Sequence, residues 1–293
     1  MHDHASGGAG WSIGPWIVLL PFVAAAAIYV GAVFGERGRD RPWPWWRTAS
    51  WLLGVMVAAL AMSPVALSAP GYPFTDHAIR HLLIGMVAPV LLVLAAPMTL
   101  ALRSFAVPSA RRLSRALRSA PARALGHPVV AGLLAVGSLW LLYTTPLFEV
   151  TADSFLHLAL MLHFLAAGFL FTAAVAPVDP SPHRASLGMR LVVLALALAA
   201  HGVVAKALYA SVEAGTGGVA GLIRIGDATP ADVQTGAQLM YYGGDVVDLA
   251  LIALVLWGWY RAAGRPRSGR RAADSAVPVA VLQVAPANPR GTA

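Results

Sequence analysis

The stretch DHAIRHLLIGMVAP, residues 76–89, holds His77 and His81 four positions apart. That spacing puts both imidazoles on one face of a helix. Asp76 and Arg80 repeat it on the neighbouring face and can pair with each other. Imidazole is a borderline ligand for copper, zinc, iron and nickel, so a histidine pair at i, i+4 is half of a metal site whose remaining ligands must come from other helices. The other side chains able to serve are His157, His163, His201, Asp245 and Asp248. His157 and His163 are six apart, which turns them roughly 120° from each other on a helix, so only one can face the centre shared by His77 and His81. His163 is the first choice and His157 a ligand at the rim. Met86 and Met240 could add thioether sulfur, a soft donor suited to Cu(I). Each residue also has a plainer use. A lone histidine can bond a backbone carbonyl, and His77 and His81 can anchor a helix end in water. The two aspartates can join a helix-packing network with Lys206.

Of the 293 residues, 58% are hydrophobic and 12% charged, half the charge of an ordinary soluble domain at about 25%. This is the composition of an integral membrane protein. Cysteine is absent, which excludes disulfides, zinc–thiolate sites and CxxC redox chemistry. The basic excess is almost all arginine, Lys206 being the only lysine. In a membrane chain such an excess reports orientation, and no nucleic-acid partner is expected.

A spanning helix needs about 20 mainly apolar residues. Seven stretches qualify, at roughly 13–34, 46–68, 78–102, 129–148, 155–177, 189–211 and 239–260. The expected fold is all-α, a polytopic seven-transmembrane-helix bundle. It occupies residues 13–262, between a short N-terminal segment, 1–12, and a disordered cytoplasmic tail, 263–293. Arginines crowd alternate connections: Arg37, Arg39 and Arg41; the series from Arg103 to Arg123; Arg184 and Arg190; then Arg261 onward. The positive-inside rule then places the N-terminus outside and the C-terminus in the cytoplasm. The segment PSARRLSRALRSAPARAL sets Leu113 and Leu117 on one face among arginines, as a helix lying on anionic lipid would.

With that orientation the ionisable residues within the spans gather in the outer half, apart from those at cytoplasmic ends. His81 lies about 6 Å below His77, and Asp245 and Asp248 lie about 9 and 13 Å below the start of the last span at 1.5 Å per residue. Gln234, Gln238, Tyr241, Asp245 and Asp248 form one stripe on the last helix. Thr229 is its expected cap, with Pro230 in the first position. An aspartate near the bilayer centre costs about 2.5–3.5 kcal/mol, so this stripe is expected to face the bundle or a cavity.

Several longer stretches resemble one family, the CtaG-type assembly proteins of caa3-type cytochrome c oxidase. They are HAIRHLLIGMVAPVLLVLAAP; HPVVAGLL with LYTTPLFEV; LHLALMLHFLAAGFLF followed by PVDPSPHR; and GAQLMYYGGDVVDLALIALVLWGWY. The likeness covers roughly residues 50–260. Arg80 stands where the family usually has glutamine, and Thr172 where it has an aromatic residue. The resemblance implies a multi-pass protein of the bacterial plasma membrane that matures the oxidase by helping deliver copper. The cargo would be Cu(I), and His77, His81, His157 and His163 the ligands carried over. The implied partners are oxidase subunits, an extracytoplasmic copper carrier and membrane lipid. Two other functions are open on the residues alone. An ion or proton transporter would need a polar route through the inner half, and a haem protein a wide slot between two axial histidines. No HExxH and no glutamate deep in a span is present, so no enzyme is expected.

Overall fold

The computed structural model describes residues 17–150, 154–181, 183–212, 223 and 228–263. His2, His4, the expected segment 1–12 and the expected tail beyond Ala263 lie outside them. The described residues are mostly helical, with no strand among them. In order the helices are α1 (Leu20–Arg37), α2 (Trp45–Met62), α3 (Pro73–Leu94), α4 (Pro97–Ser104) and α5 (Val107–Leu117). Then come α6 (Ala120–Leu125), α7 (Pro128–Thr144), α8 (Ser154–Val175), α9 (Leu187–Ala210) and α10 (Pro230–Ala263), with a single helical turn, Leu147–Val150, between α7 and α8. Six of them, α1, α2, α3, α8, α9 and α10, are long and apolar enough to cross a membrane. Large apolar side chains such as Val23, Ile28, Leu133, Leu196, Val246 and Leu249 remain exposed around the bundle, as lipid-facing residues do.

Two expected spans differ in extent. The stretch 129–148 becomes α7, an apolar helix shorter than the other six. The stretch 78–102 begins earlier, at Pro73, and breaks after Leu94. Ala96 takes a left-handed conformation, φ 51°, because Pro97 disfavours the α region in the residue before it and has no N–H to continue the ladder. Helix α4 restarts at that proline. The arginine-rich segment does form the short helices α5 and α6, with Arg111, Arg112 and Arg115 exposed.

Side-chain clamps fix both ends of the bundle. At the arginine-rich end Glu36 is fully buried and accepts from Arg103 at 2.9 Å and Arg39 at 3.3 Å. Trp43 donates to the Tyr29 hydroxyl, 3.1 Å, which donates to the Ala95 carbonyl, 2.8 Å. Helices α3 and α4 each open with Pro-X-Thr, and each is capped by an aspartate distant in sequence. Asp232 accepts from the Phe74 and Thr75 amides at 2.8 Å and from the Thr75 hydroxyl at 2.7 Å. Asp179 accepts from the Met98 and Thr99 amides and the Thr99 hydroxyl at 3.1, 2.8 and 2.5 Å. The first turn of each helix thus finds acceptors for N–H groups that no intrahelical carbonyl can reach.

Helix α3 is the central element. Its first half packs on α10 and its last part on α2 and α8. Between the halves, Leu83–Val87 forms a π-helical turn in which the Ala88 amide bonds the Leu83 carbonyl. Helix α7 holds a second such turn, Leu133–Gly137. Single π-turns inside α-helices frequently mark functional sites.

Candidate metal centre

Both π-turns border the same space. A cavity of about 50 Å³ lies between α3, α7, α8, α9 and α10. Gly85 and Met86 line it from the first turn, Ala135 and Val136 from the second, and His81, His201, Phe164 and Asp248 complete its chemistry-bearing wall. The extra residue in each turn widens the helix locally and sets Met86 and Val136 toward this space. Close packing of the backbones shapes the floor, since a Cβ on Gly168 of α8 would collide with the Gly85 carbonyl oxygen.

His81 and His201 face each other in this wall. Their rings are nearly parallel, 26° apart, with centroids separated by 6.3 Å. They are 4% and 6% exposed, yet His81 Nδ1 and His201 Nε2 are buried with no hydrogen-bond partner. An unpaired buried polar atom costs about 1–3 kcal/mol. Two of them belong to the wall of one cavity, whose volume has room for an ion or a few waters but not for a porphyrin. Phe164 fixes the His81 ring edge-on at 4.9 Å. Gly244 lies against the other imidazole, where any Cβ would stand 2.5 Å from His201 Cε1. Asp248 is 5% exposed and brings the carboxylate to the same cavity.

The remaining expected site residues lie apart from this pair. His77 sits one turn before His81, its Nε2 also buried and unpaired, in a cage of Phe74, Tyr143 and Phe148 with centroids 6.3, 6.2 and 5.1 Å away. His157 is half-buried and lines a separate, more open cavity with Arg80. His163, the first choice for the deep ligand from α8, turns to α7 instead. Its Nε2 lies 3.2 Å from the Leu134 carbonyl, so it donates there, and that oxygen in the second π-turn also accepts from Ser138. Asp245 is exposed on the outside of α10. Among the described residues no three His, Asp or Glu side chains gather as a ready metal cluster.

The polar stripe on α10 therefore divides. Asp248 turns inward, while Gln238 and Asp245 turn outward, and the Lys206 ammonium lies over the Tyr241 ring at 5.0 Å rather than on either carboxylate. Met240 packs in the core against the Tyr143 hydroxyl, 3.9 Å from its sulfur, and does not line the cavity. Arg80 pairs with Asp76 as expected and donates to the carbonyls of Ala61, Ser63 and Val65, tying the end of α2 to α3. His127 and His183 stay in local roles at the arginine-rich end, accepting from the Val129 amide and the Arg123 guanidinium. The cap made by Asp232 was hidden in the sequence, where that residue reads as part of its own helix start. The matching Pro-X-Thr openings of α3 and α4 were the available signal.

Below the cavity, toward the arginine-rich end, Val90, Phe171, Leu194, Leu251 and Val255 close the bundle as an apolar cluster. The members of that cluster are all apolar, whereas a proton or ion relay needs polar groups along its route.

The family model described as cytochrome c oxidase caa3 assembly factor matches residues 27–262. Among curated proteins, uncharacterized proteins of Mycobacterium bovis and Mycobacterium tuberculosis are each 34% identical over 174 residues, covering 55% of this chain and 26% of theirs. One of Mycobacterium leprae is 33% identical over 164 residues, 53% of this chain and 25% of its own. The chain therefore spans about a quarter of the length of these relatives. No solved structure matches it.

Proposed function

Because the chain belongs to the caa3 cytochrome c oxidase assembly-factor family, we propose that it matures the oxidase by holding Cu(I) between His81 and His201 and passing it on. The observation that carries this reading is the pair of orphaned imidazole nitrogens facing one small cavity. Two neutral imidazoles with the Met86 thioether form a soft, thiolate-free donor set that suits Cu(I). Asp248 adds a negative charge beside a cation held in a low-dielectric interior. Coordination by so few groups is labile, which a donor of metal requires and a closed structural site lacks. The protein would act as a carrier for copper and catalyse no reaction. His77 stands one turn above the pair as the next imidazole on the route.

The membrane arrangement accords with the same reading. Helix α7 counts as a seventh span, since its 17 residues reach the lower limit of about 17 for a crossing helix. The seven-helix membrane domain would then extend over residues 13–262, with 1–12 and 263–293 as flanking segments. Positive-inside charge puts the arginine-rich end in the cytoplasm of a bacterial cell and the histidine end outside. The buried pair would then lie in the outer half of the membrane, open to an extracytoplasmic copper carrier and to the oxidase subunits it serves. Helix α5, with its arginine face, would rest on anionic lipid.

The test is Cu(I) titration of the detergent-purified protein against a chromophoric chelator, beside a His81→Ala/His201→Ala variant, with oxidase activity scored in cells carrying each. Loss of bound copper and of active oxidase, with the melting temperature retained, is the expected result. Unchanged copper binding and full oxidase activity in the variant would overturn the proposal.

A further inference from the structure

A second cavity, about 320 Å³, opens at the histidine end between α2, α3 and α8. The groups in it able to bind a ligand are His157, Met161, Met62 and Arg80. We propose that His157, Met161 and Met62 form a separate soft-metal site, an outer station that takes Cu(I) before the buried His81–His201 pair does. Its cargo rests on the copper reading above; its ligands do not overlap with that site.

Spacing puts two of the three ligands together. His157 and Met161 are four apart on α8 and share one face. Met62 comes from the other wall as the last residue of α2. That helix ends there because Pro64 cannot continue it, and the Ser63 hydroxyl turns back to bond the Leu60 carbonyl at 2.8 Å.

Arg80 lines the same cavity, but Asp76 offsets its charge and its donors are taken, so it is not a free hook for an anion. Its charge is paired with Asp76 at 2.5 Å, and its other donors reach the carbonyls of Ala61, Ser63 and Val65 at 2.8, 2.7 and 2.6 Å. Two of those carbonyls flank Met62. The guanidinium therefore acts as a positioning group that holds the thioether at the lip of the cavity.

The donor set is then one imidazole and two thioethers, all neutral. Thioether is a soft ligand that favours Cu(I) and offers little to Zn²⁺, Mg²⁺ or Ca²⁺. An oxygen-seeking or doubly charged ion finds no free carboxylate here, so the chemistry selects a monovalent soft cation. The place suits a relay. Three residues beyond Met161, Phe164 sets its ring edge-on to His81 at 4.9 Å, and both Met161 and Phe164 belong to the same buried cluster. Phe164 thus belongs both to the wall of the buried pair and to the cluster that holds Met161. Copper would move by ligand exchange alone, as Cu(I) throughout, with no change of oxidation state.

Silver(I), a redox-inert mimic of Cu(I), tests this on the full-length protein in detergent. Titration calorimetry should give two Ag⁺ per chain for the native protein. Met62→Leu/Met161→Leu keeps apolar volume and should bind one. His81→Ala/His201→Ala should also bind one, and X-ray absorption of that variant loaded with Cu(I) should show sulfur scatterers. Met62→Leu alone, at the lip of the cavity, should weaken the outer site at least tenfold without shifting the melting temperature. Two Ag⁺ retained by the Met62→Leu/Met161→Leu variant, or only nitrogen scatterers in the histidine variant, would overturn the outer site. A native protein that binds one Ag⁺, lost only with His81 and His201, would overturn the outer site and leave the buried-pair reading standing. No Ag⁺ bound by the native protein would overturn both.

Discussion

The imidazoles of His81 and His201 come from α3 and α9, 120 positions apart in sequence, and lie 6.3 Å apart with their planes 26° from parallel. Each is locked from behind, His81 by the edge of Phe164 and His201 by the bare backbone at Gly244. Neither unpaired nitrogen has a protein partner. Such rigidity would serve the metal site proposed above, and it contrasts with His163, which turns to bond a carbonyl.

The glycine pair on α10 offers a sharp comparison. A Cβ at Gly244 would stand 2.5 Å from Cε1 and 2.8 Å from Nδ1 of His201, a ring with little room to move. At Gly243 it would meet only the tip of Leu82, which can rotate away. Gly244→Ala should therefore weaken Cu(I) binding by about tenfold or more, while Gly243→Ala should leave it near the native value. Competition titration of the two variants in parallel decides the matter.

The two aspartates should also separate. Asp248→Asn removes the carboxyl group from the cavity wall and is expected to lower copper affinity by about 10–100-fold, as changes close to a metal commonly do. Asp245 is exposed and does not line the cavity, so Asp245→Asn should cost less affinity than Asp248→Asn, its charge acting from a greater distance through solvent-screened surroundings. Equal losses in both would mean that the acidic stripe acts as one unit despite its split orientation.

Stability should depend strongly on Asp232. Asp232→Ala leaves the Phe74 and Thr75 amides buried without their acceptor, while the Thr75 hydroxyl keeps only its longer bond to the backbone carbonyl of residue 232 at 3.2 Å. A loss of about 2 kcal/mol or more is expected, read as a lowered melting temperature in detergent. Asp179→Ala should cost less, because that cap is only partly buried and water can replace the carboxylate. Comparable melting shifts would show that burial does not set the difference.

Gly168→Ala should loosen the bundle at its tightest crossing. The added methyl would collide with the Gly85 carbonyl oxygen and press on Pro89, whose ring carbon lies 2.9 Å away. Backbone cannot yield as a side chain does, so α8 must move off α3, at a cost of about 1–3 kcal/mol. The cavity would widen as the helices part, and copper affinity should fall together with the melting temperature.

Much of this molecule was legible in the linear sequence. Apolar length alone marks the crossing segments, because a bilayer tolerates little else over about 30 Å. The i, i+4 rule gave the Asp76–Arg80 pair, and Thr229 with Pro230 gave the start of α10; the Thr229 hydroxyl accepts the Asp232 amide at 3.4 Å. The matched segments and their order identified the family, which the match over residues 27–262 confirms. These features are local, or they depend on the membrane as a uniform solvent, so no knowledge of neighbouring helices is needed.

The tertiary structure decided which side chains meet. Asp245 and Asp248 differ by about 60° around α10. That was close enough to read as one stripe, yet packing against α9 and α3 buries one and leaves the other outside. His163 reads as the deeper ligand by position along α8, but a carbonyl in the π-turn of α7 captures it first. The π-turns themselves have no residue signature in this chain. Each adds one residue to a helical turn and rotates the rest of its helix, so Met86 enters the cavity by a rotation the sequence does not encode locally. A helix's rotation about its own axis is fixed by the surfaces it packs against, and His201 joins His81 only because that rotation is settled by the whole bundle.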